Sequence, residues 1–367
     1  MKWLFFVLLA VHGLIHLLGT VKAFGLAPLE ELPLGLSRGA GVAWLAAGIL
    51  MLASALLLLL RPELWWWAGA AAVVLSQALI FSAWGEAKFG TAANLIVLAG
   101  VVYGFASMGP WSLRADYLQE VREGLADPPS LETVTEADLT PLPAPVQRYV
   151  RRSGAVGLPR VRDFALTWSG RIRGAPDEPW MEFEAVQHSF LDTPRRLFHM
   201  RASRSGLPVD ILHVYREGTA TMRVRLLSLL PMVDARGPEM DRAETVTFLN
   251  DLCLFAPAGL IDPDLEWEAA DDRTARVRYT AGPHTVGATL YFDEEGDLVD
   301  FVSEDRLRAS ADGTEFTRHT WSTPVSGQRT FGERRISAGG DGVWHLPDGE
   351  FVYIEAEVLD LEVNTGH

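Results

Sequence analysis

The sequence predicts a two-part chain. An α-helical membrane domain of four spans comes first. An α+β soluble domain follows, built on a curved antiparallel β-meander or half-barrel of about ten strands with a helical lid. Three observations predict this. The first 110 positions hold few charges, only Lys2, Lys22, Glu30, Glu31, Arg38, Arg61, Glu63, Glu86 and Lys88. Nearly all of the formal net charge of −15 therefore lies downstream. Hydrophobic residues form unbroken stretches before position 110 and recur with a period of two from Val161 onward.

A bilayer core requires about 20 mostly apolar residues in helical form. Residues 3–19 (apolar to Val21), 40–60, 64–85 and 91–110 meet or approach that length without a charge. Trp65, Trp66 and Trp67 open the third stretch and Trp111 follows the fourth, as in an interfacial aromatic belt. Lys2 and the Val21-Lys22-Ala23 site give the first stretch some signal-peptide character. His12 and His16 interrupt its apolar run and three spans follow, so it reads as a retained span. With the N-terminus inside, Lys2, Arg61, Arg114 and Arg122 flank the inner side and Lys22, Arg38 and Lys88 the outer. That margin points to a multi-pass cell-membrane protein with a cytoplasmic soluble domain. His12 and His16, four apart, share a helical face. With Ser76, Gln77 and Asn94 they read as an interhelical hydrogen-bonding set. A metal or haem between the histidines is the lesser reading, because no carboxylate or thiol lies within the spans.

The domains are predicted at 1–110, a helical linker at 111–139, and the β domain at 140–367. In the linker, residues 112–125 read as an amphipathic helix, with Ser112 as N-cap and Asp127-Pro128-Pro129-Ser130 as its stop. A short helix over 143–153 has prolines at its start and Gly154 as its C-cap, and presents Arg148, Arg151 and Arg152. Alternation begins at Phe164, Leu166 and Trp168, and continues with Met181, Phe183 and Ala185 against Glu182 and Glu184. Similar runs cover 196–203, 219–226, 273–279, 285–292, 299–307, 314–323, 328–336, 342–345 and 351–361. Turn signals divide them at Ala281-Gly282-Pro283, Asp293-Glu294-Glu295-Gly296, Asp312-Gly313 and Pro347-Asp348-Gly349. A helix over 238–255 interrupts the meander, between Gly237 and Pro257. A sheet of that size with one apolar face must curl or be covered. A helix laid on its concave side leaves a cavity suited to an apolar ligand.

Composition and motifs narrow the function. An acidic domain repels phosphates, so no nucleic-acid partner is expected. The single cysteine, Cys253, excludes an intrachain disulfide and reads as a buried small residue. No HExxH or HxH pair, GxSxG elbow, phosphate loop or dinucleotide fingerprint occurs, so no metal or cofactor is expected and an enzyme is the lesser reading. The densest polar group is Glu239, Asp241, Glu244, Asn250 and Asp251 on the 238–255 helix. Glu244 and Asp251, seven apart, share a face and form a candidate acid–base pair. The plainer reading is a solvated face with acids in its first turn. The candidate ligand contacts are Trp180, Glu239, Glu244, Trp344, Phe351 and Tyr353; for Trp344, Phe351 and Tyr353 the plainer reading is a hairpin anchored by aromatics, and binding is the lesser one.

The run Leu142-Pro143-Ala144-Pro145-Val146-Gln147-Arg148-Tyr149 with Ser153-Gly154 resembles the signature of an uncharacterised bacterial family. Val233-Asp234-Ala235-Arg236-Gly237-Pro238-Glu239 and Trp344-His345-Leu346-Pro347-Asp348-Gly349 resemble it too. Residues 12–16 and 87–91 look like those of its membrane-anchored members. Residues 245–251 depart from the Leu-Arg-Tyr-Leu-like pattern expected there. The resemblance carries no activity. More distantly, the meander with its helix is similar to the half-barrel of periplasmic lipoprotein carriers. Three readings of function follow. The first is an anchored protein binding a lipid or another apolar molecule. The second is an enzyme acting on a lipid-like substrate through the 238–255 carboxylates. The third is a membrane sensor or scaffold with a partner-binding β domain.

Overall fold

The computed structural model describes residues 2–28, 35–125, 132–310 and 313–366. Glu30 and Glu31, the Asp127-Pro128-Pro129-Ser130 stop and Asp312 of the expected turn lie outside the described residues. The chain divides into two compact units, Met1–Ala115 and Asp116–His367.

The first unit is helical: α1 (Lys2–Phe24), α2 (Arg38–Leu60), α3 (Trp65–Ser82), the single turn α4 (Trp84–Ala87) and α5 (Gly90–Met108). Among the described residues four helices, with α4 not one of them, are long and apolar enough to cross a membrane. Their contacts use small residues, which let backbones approach closely. A Cβ on Gly48 of α2 would sit 3.0 Å from the Gly13 carbonyl oxygen of α1, and Gly19 of α1 faces the Trp44 ring. Polar side chains add hydrogen bonds. His12 Nε2 donates to Asn94 Oδ1 at 2.9 Å, linking α1 to α5. His16 Nδ1 donates to the His12 carbonyl at 2.8 Å, and its Nε2 lies 2.8 Å from Ser76 Oγ on α3. Asn94 Nδ2 also donates to Gln77 Oε1 at 3.0 Å.

α6 (Leu113–Gly124) carries the chain into the second unit, followed by α7 (Glu136–Leu139) and α8 (Ala144–Arg152). Six strands come next: β1 (Asp163–Ile172), β2 (Met181–Phe190), β3 (Arg195–Arg204), β4 (Leu207–Arg216), β5 (Thr219–Leu226) and β6 (Leu230–Arg236). α9 (Pro238–Phe255) and a 3-10 turn at Pro257–Ile261 interrupt them. The chain then forms β7 (Leu265–Asp271), β8 (Thr274–Ala281), β9 (His284–Phe292), β10 (Leu298–Ser303), β11 (Leu307–Ala309), β12 (Phe316–Arg318) and β13 (Thr320–Ser322). It ends with β14 (Gln328–Phe331), β15 (Arg334–Ser337), β16 (Gly339–Leu346) and β17 (Gly349–Val363).

Thirteen of these strands form one open antiparallel sheet in the order β6-β5-β4-β3-β2-β1-β17-β16-β13-β10-β9-β8-β7. β11 with β12 and β14 with β15 form separate two-stranded sheets. The sheet is a curved half-barrel, larger than the ten-strand reading. The additional strands are β4, β6 and β7. β4 is buried on both faces, with Leu212 and Tyr215 both fully buried, so its sequence shows an apolar run instead of alternation. β6 contains Pro231, tolerated because β6 is an edge strand.

Curvature has local causes. The register shifts at Thr167/Trp168 against β17 and at Gly342/Val343 against β17. Such bulges bend a strand. A Cβ on Gly170 would collide with the Glu355 carbonyl oxygen, so this close approach of β1 to β17 requires glycine. Gly237, at φ +108°, turns the chain from β6 into α9. α9 then lies across the concave face, with fourteen of its residues buried. α8 holds it there: the Tyr149 hydroxyl donates to the Cys253 carbonyl at 2.9 Å. Arg152 and Arg335 both clamp Asp297, at 2.9 Å for Arg152 Nη2 and 2.8 Å for Arg335 Nη2. α6 covers the opposite face of β3–β5, with Tyr117 against His199 and Asp116 paired to Arg223 at 2.8 Å.

Candidate functional site

Between α9 and the concave sheet lies a cavity of about 240 Å³. Strand parity builds its wall. Trp168, Met200, Ile211 and Val224 form one inward row and Gln187, Phe198, His213 and Met222 the next. Leu254 and Phe255 of α9 close it from the other side, with the Trp168 ring edge-on to Phe255 at 4.9 Å.

One end of the cavity is charged. Arg196 Nε donates to Asp251 Oδ2 at 2.5 Å and its Nη1 to Glu244 Oε2 at 3.3 Å. Arg306 Nε donates to Thr247 Oγ1 at 3.2 Å and its Nη1 to the Tyr353 hydroxyl at 3.1 Å, while Nη2 lies 3.9 Å from Glu244. Its guanidinium stacks on Trp321, 4.2 Å from the ring centroid. Gln187 Nε2 donates to Asp251 at 2.7 Å, and Asn250 Nδ2 lies 3.3 Å from the other oxygen. Burial alone would raise the Glu244 carboxyl, but His213, Arg196 and Arg306 outweigh it and hold it at about 2. Burial opposes the charge on Arg196, and Asp251 and Glu244 more than restore it.

Glu244 and Asp251 are thus buried, 2% and 5% exposed, which corrects the solvated-face reading. The helix faces the sheet with them because both meet an inward-pointing arginine. Among the described residues, four lining side chains leave a buried polar atom without a hydrogen bond: Gln187 Oε1, Trp168 Nε1, Trp321 Nε1 and His213 Nδ1, the last standing 3.5 Å from Glu244 Oε1.

The sequence candidates scatter. Glu244 and Tyr353 line the cavity. Trp344 stands behind it, 6.4 Å from Trp321 and 6.1 Å from Tyr353, and Phe351 is buried beside Tyr353. Trp180 lies elsewhere, under Arg173 and Arg171 at 4.3 and 4.6 Å. Glu239 is exposed at the start of α9. Asp241, in the same turn, accepts from the Ala220 backbone N–H at 2.6 Å. Sequence reasoning missed Arg196, Gln187, His213 and Arg306. Gln187 continues the inward parity of Phe183 and Ala185, and Arg196 that of Phe198 and Met200, so a polar residue at an inward position was the available signal. Arg306 follows the break after β10 and had none.

Fold and site define a chain with four membrane-length helices and a half-barrel whose helix-covered cavity is apolar with one charged end. The chain belongs to the family of unknown function DUF6544, which matches residues 132–356. No curated protein matches it. Among solved structures it is similar to a putative outer membrane lipoprotein-sorting protein domain from Vibrio parahaemolyticus. That match has 12% identity, covers 56% of this chain and 86% of that one, and has a TM-score of 0.33. It is also similar to a LolA superfamily protein from Nitrosomonas europaea (12%, 59% and 92%, TM-score 0.34). A DUF1329 family protein from Desulfovibrio piger gives 12%, 61% and 93%, with a TM-score of 0.34.

Proposed function

We propose that the second unit binds a single-chain amphiphile, with its hydrocarbon chain along the inward rows and its head at the Gln187–His213 end. The observation that carries this is the cavity itself: apolar along the sheet and α9, with polar groups gathered at one end. Its volume, about 240 Å³, falls just below the roughly 300–1,000 Å³ typical of drug-sized ligands. That favours one chain over a diacyl lipid.

The charges define the head. The lining holds two inward carboxylates, Glu244 and Asp251, against two guanidiniums, Arg196 and Arg306, while the Asp341 side chain stands in register with Arg171, Glu182 and Glu355 on the other face. Both guanidiniums already donate to protein groups. An anionic head would meet no spare cation, and burying an unpaired charge is costly. Gln187 Oε1 needs a donor and the Trp168 and Trp321 N–H groups need an acceptor, so the head is an uncharged group that supplies both, such as a hydroxyl. An acid–base mechanism through Glu244 fits less well. General catalysts work best with a pKa near the operating pH, and Glu244 is held at about 2.

Displacement of a fluorescent single-chain probe tests this, with the full chain in nanodiscs of diacyl lipid. Decanol is expected to compete at least tenfold better than decanoate or decylamine. Val224→Trp, which fills the cavity, is expected to weaken probe binding at least tenfold while the helical and strand circular dichroism stays intact. Binding that ignores Val224→Trp contradicts the proposal; decanoate outcompeting decanol contradicts the head-group assignment and leaves the cavity reading standing.

A further inference from the structure

The tip of the β5–β6 hairpin exposes an apolar rim that the cavity does not use. Leu229, Leu230 and Met232 are 47%, 54% and 55% exposed, and Leu207, at the neighbouring β3–β4 tip, is 47% exposed. Single exposed Leu residues are ordinary; four clustered at one end of a sheet mark an interaction surface. The tip is held in shape. The Leu227 N–H donates to the Pro208 carbonyl at 2.8 Å, and the Ser228 hydroxyl donates to the buried Asp210 carboxylate.

We infer that this rim is a membrane-contacting surface that dips into the interfacial layer of a lipid bilayer. Three features of the chain select a bilayer over a protein partner. First, Asp116, where the second unit begins, follows Met108 of α5 by eight positions. An extended chain of that length reaches at most about 28 Å, so a span in α5 tethers the unit beside a bilayer surface. Second, the rim carries the charge sign that anionic headgroups attract. Nearest the two tips stand Arg201, Arg204 and Arg225, with Arg201 3.7 Å from the buried Asp210 and Arg204 3.5 Å from Glu178, a positive balance in a chain whose net charge is −15. Arg204, with 58% of its side chain exposed, flanks Leu207 directly. Its long stem can bury beside the leucines while its guanidinium stays at the headgroups.

Third, the rim is continuous with the cavity. Met222 and Val224 line the cavity, and Leu226 is the next residue of that inward row, one alternate-residue step or about 6.8 Å along the strand. Leu230 is the cross-strand partner of Leu226. An apolar row thus runs from the cavity wall to the exposed tip, the route an amphiphile would follow from a bilayer. This last point rests on the cavity reading; the membrane contact does not.

The test uses the full chain in nanodiscs containing anionic lipid. A fluorophore is attached at Met232→Cys or, as comparison, at Tyr291→Cys, an exposed residue on β9. Cys253 does not compete for the label, since it is fully buried and burial pushes its thiol up. Nitroxide placed near the lipid headgroup is expected to quench the label at 232 at least threefold more than the label at 291. Leu229→Asp with Leu230→Asp is expected to abolish that difference. Equal quenching at the two sites overturns the inference. So does a label at 232 that is shielded from lipid nitroxide yet crosslinks to a second copy, because the rim is then a protein interface. Probe displacement by decanol in the Leu229→Asp, Leu230→Asp chain separates the two proposals. A loss of quenching with probe binding retained assigns the rim to the membrane alone, and a failure of Val224→Trp to affect binding overturns the cavity reading without touching the rim.

Discussion

At the scale of single residues, Arg196 decides most. It is the cation shared by two buried carboxylates, Glu244 and Asp251. Removing one member of a buried network leaves the others uncompensated, which costs about 3–5 kcal/mol. Arg196→Met is therefore expected to lower the unfolding free energy of the second unit by that amount in guanidinium titrations followed by tryptophan fluorescence. Tyr149→Phe removes one hydrogen bond to the Cys253 carbonyl, and about 1 kcal/mol is expected in the same measurement. The carboxylates also set an acid limit. Asp297 is opposed by burial but held at about 2 by Arg152 and Arg335, and Glu244 is likewise held at about 2. Both folded values lie below those of an unfolded chain, near 4. Their contribution is complete above about pH 4 and is lost as pH falls toward 2. Asp297→Asn is expected to flatten stability over that window and leave its slope above pH 5 unchanged. An unaltered acid limb in Asp297→Asn would show that the clamp does not govern it.

Among the elements, α9 is the one that turns a sheet into a site, and it was only half legible. Gly237, Pro238 and Pro257 bracket it plainly in the sequence. Its orientation was not legible, because acids at Glu244 and Asp251 read as a wet face when their arginine partner is 48 to 55 residues away on strand β3. The same limit hid β4. A strand covered on both sides loses the alternation that marks one-sided strands, and only α6 packed over His199 explains why Leu212 is buried. The alternating strands β1, β2 and β8 and the four apolar helices were legible because a single solvent boundary dictates each pattern. At this scale Gly170→Val is expected to disrupt the β1–β17 pairing that joins the two meanders, since its side chain would meet the Glu355 carbonyl. Loss of amide protection in both strands by hydrogen exchange is the readout; retained protection would place the close approach elsewhere.

At the scale of the whole molecule, each of the two units is intelligible by itself. The helical unit is joined by glycine contacts and the His12–Asn94 and His16–Ser76 hydrogen bonds, which occupy polar side chains of these apolar helices with one another. The half-barrel buries its polar network beside an apolar cavity, the arrangement on which the proposed recognition of a ligand head rests. The most direct test of that central claim is photolabelling of the full chain in membranes. A decanol analogue with a diazirine near the end of its chain serves as probe, and crosslinked residues are read by mass spectrometry. The account predicts saturable labelling on Met200, Ile211, Met222, Val224 or Leu254, abolished by Val224→Trp. Labels confined to α1–α5, or labelling of the half-barrel that does not saturate, would contradict it.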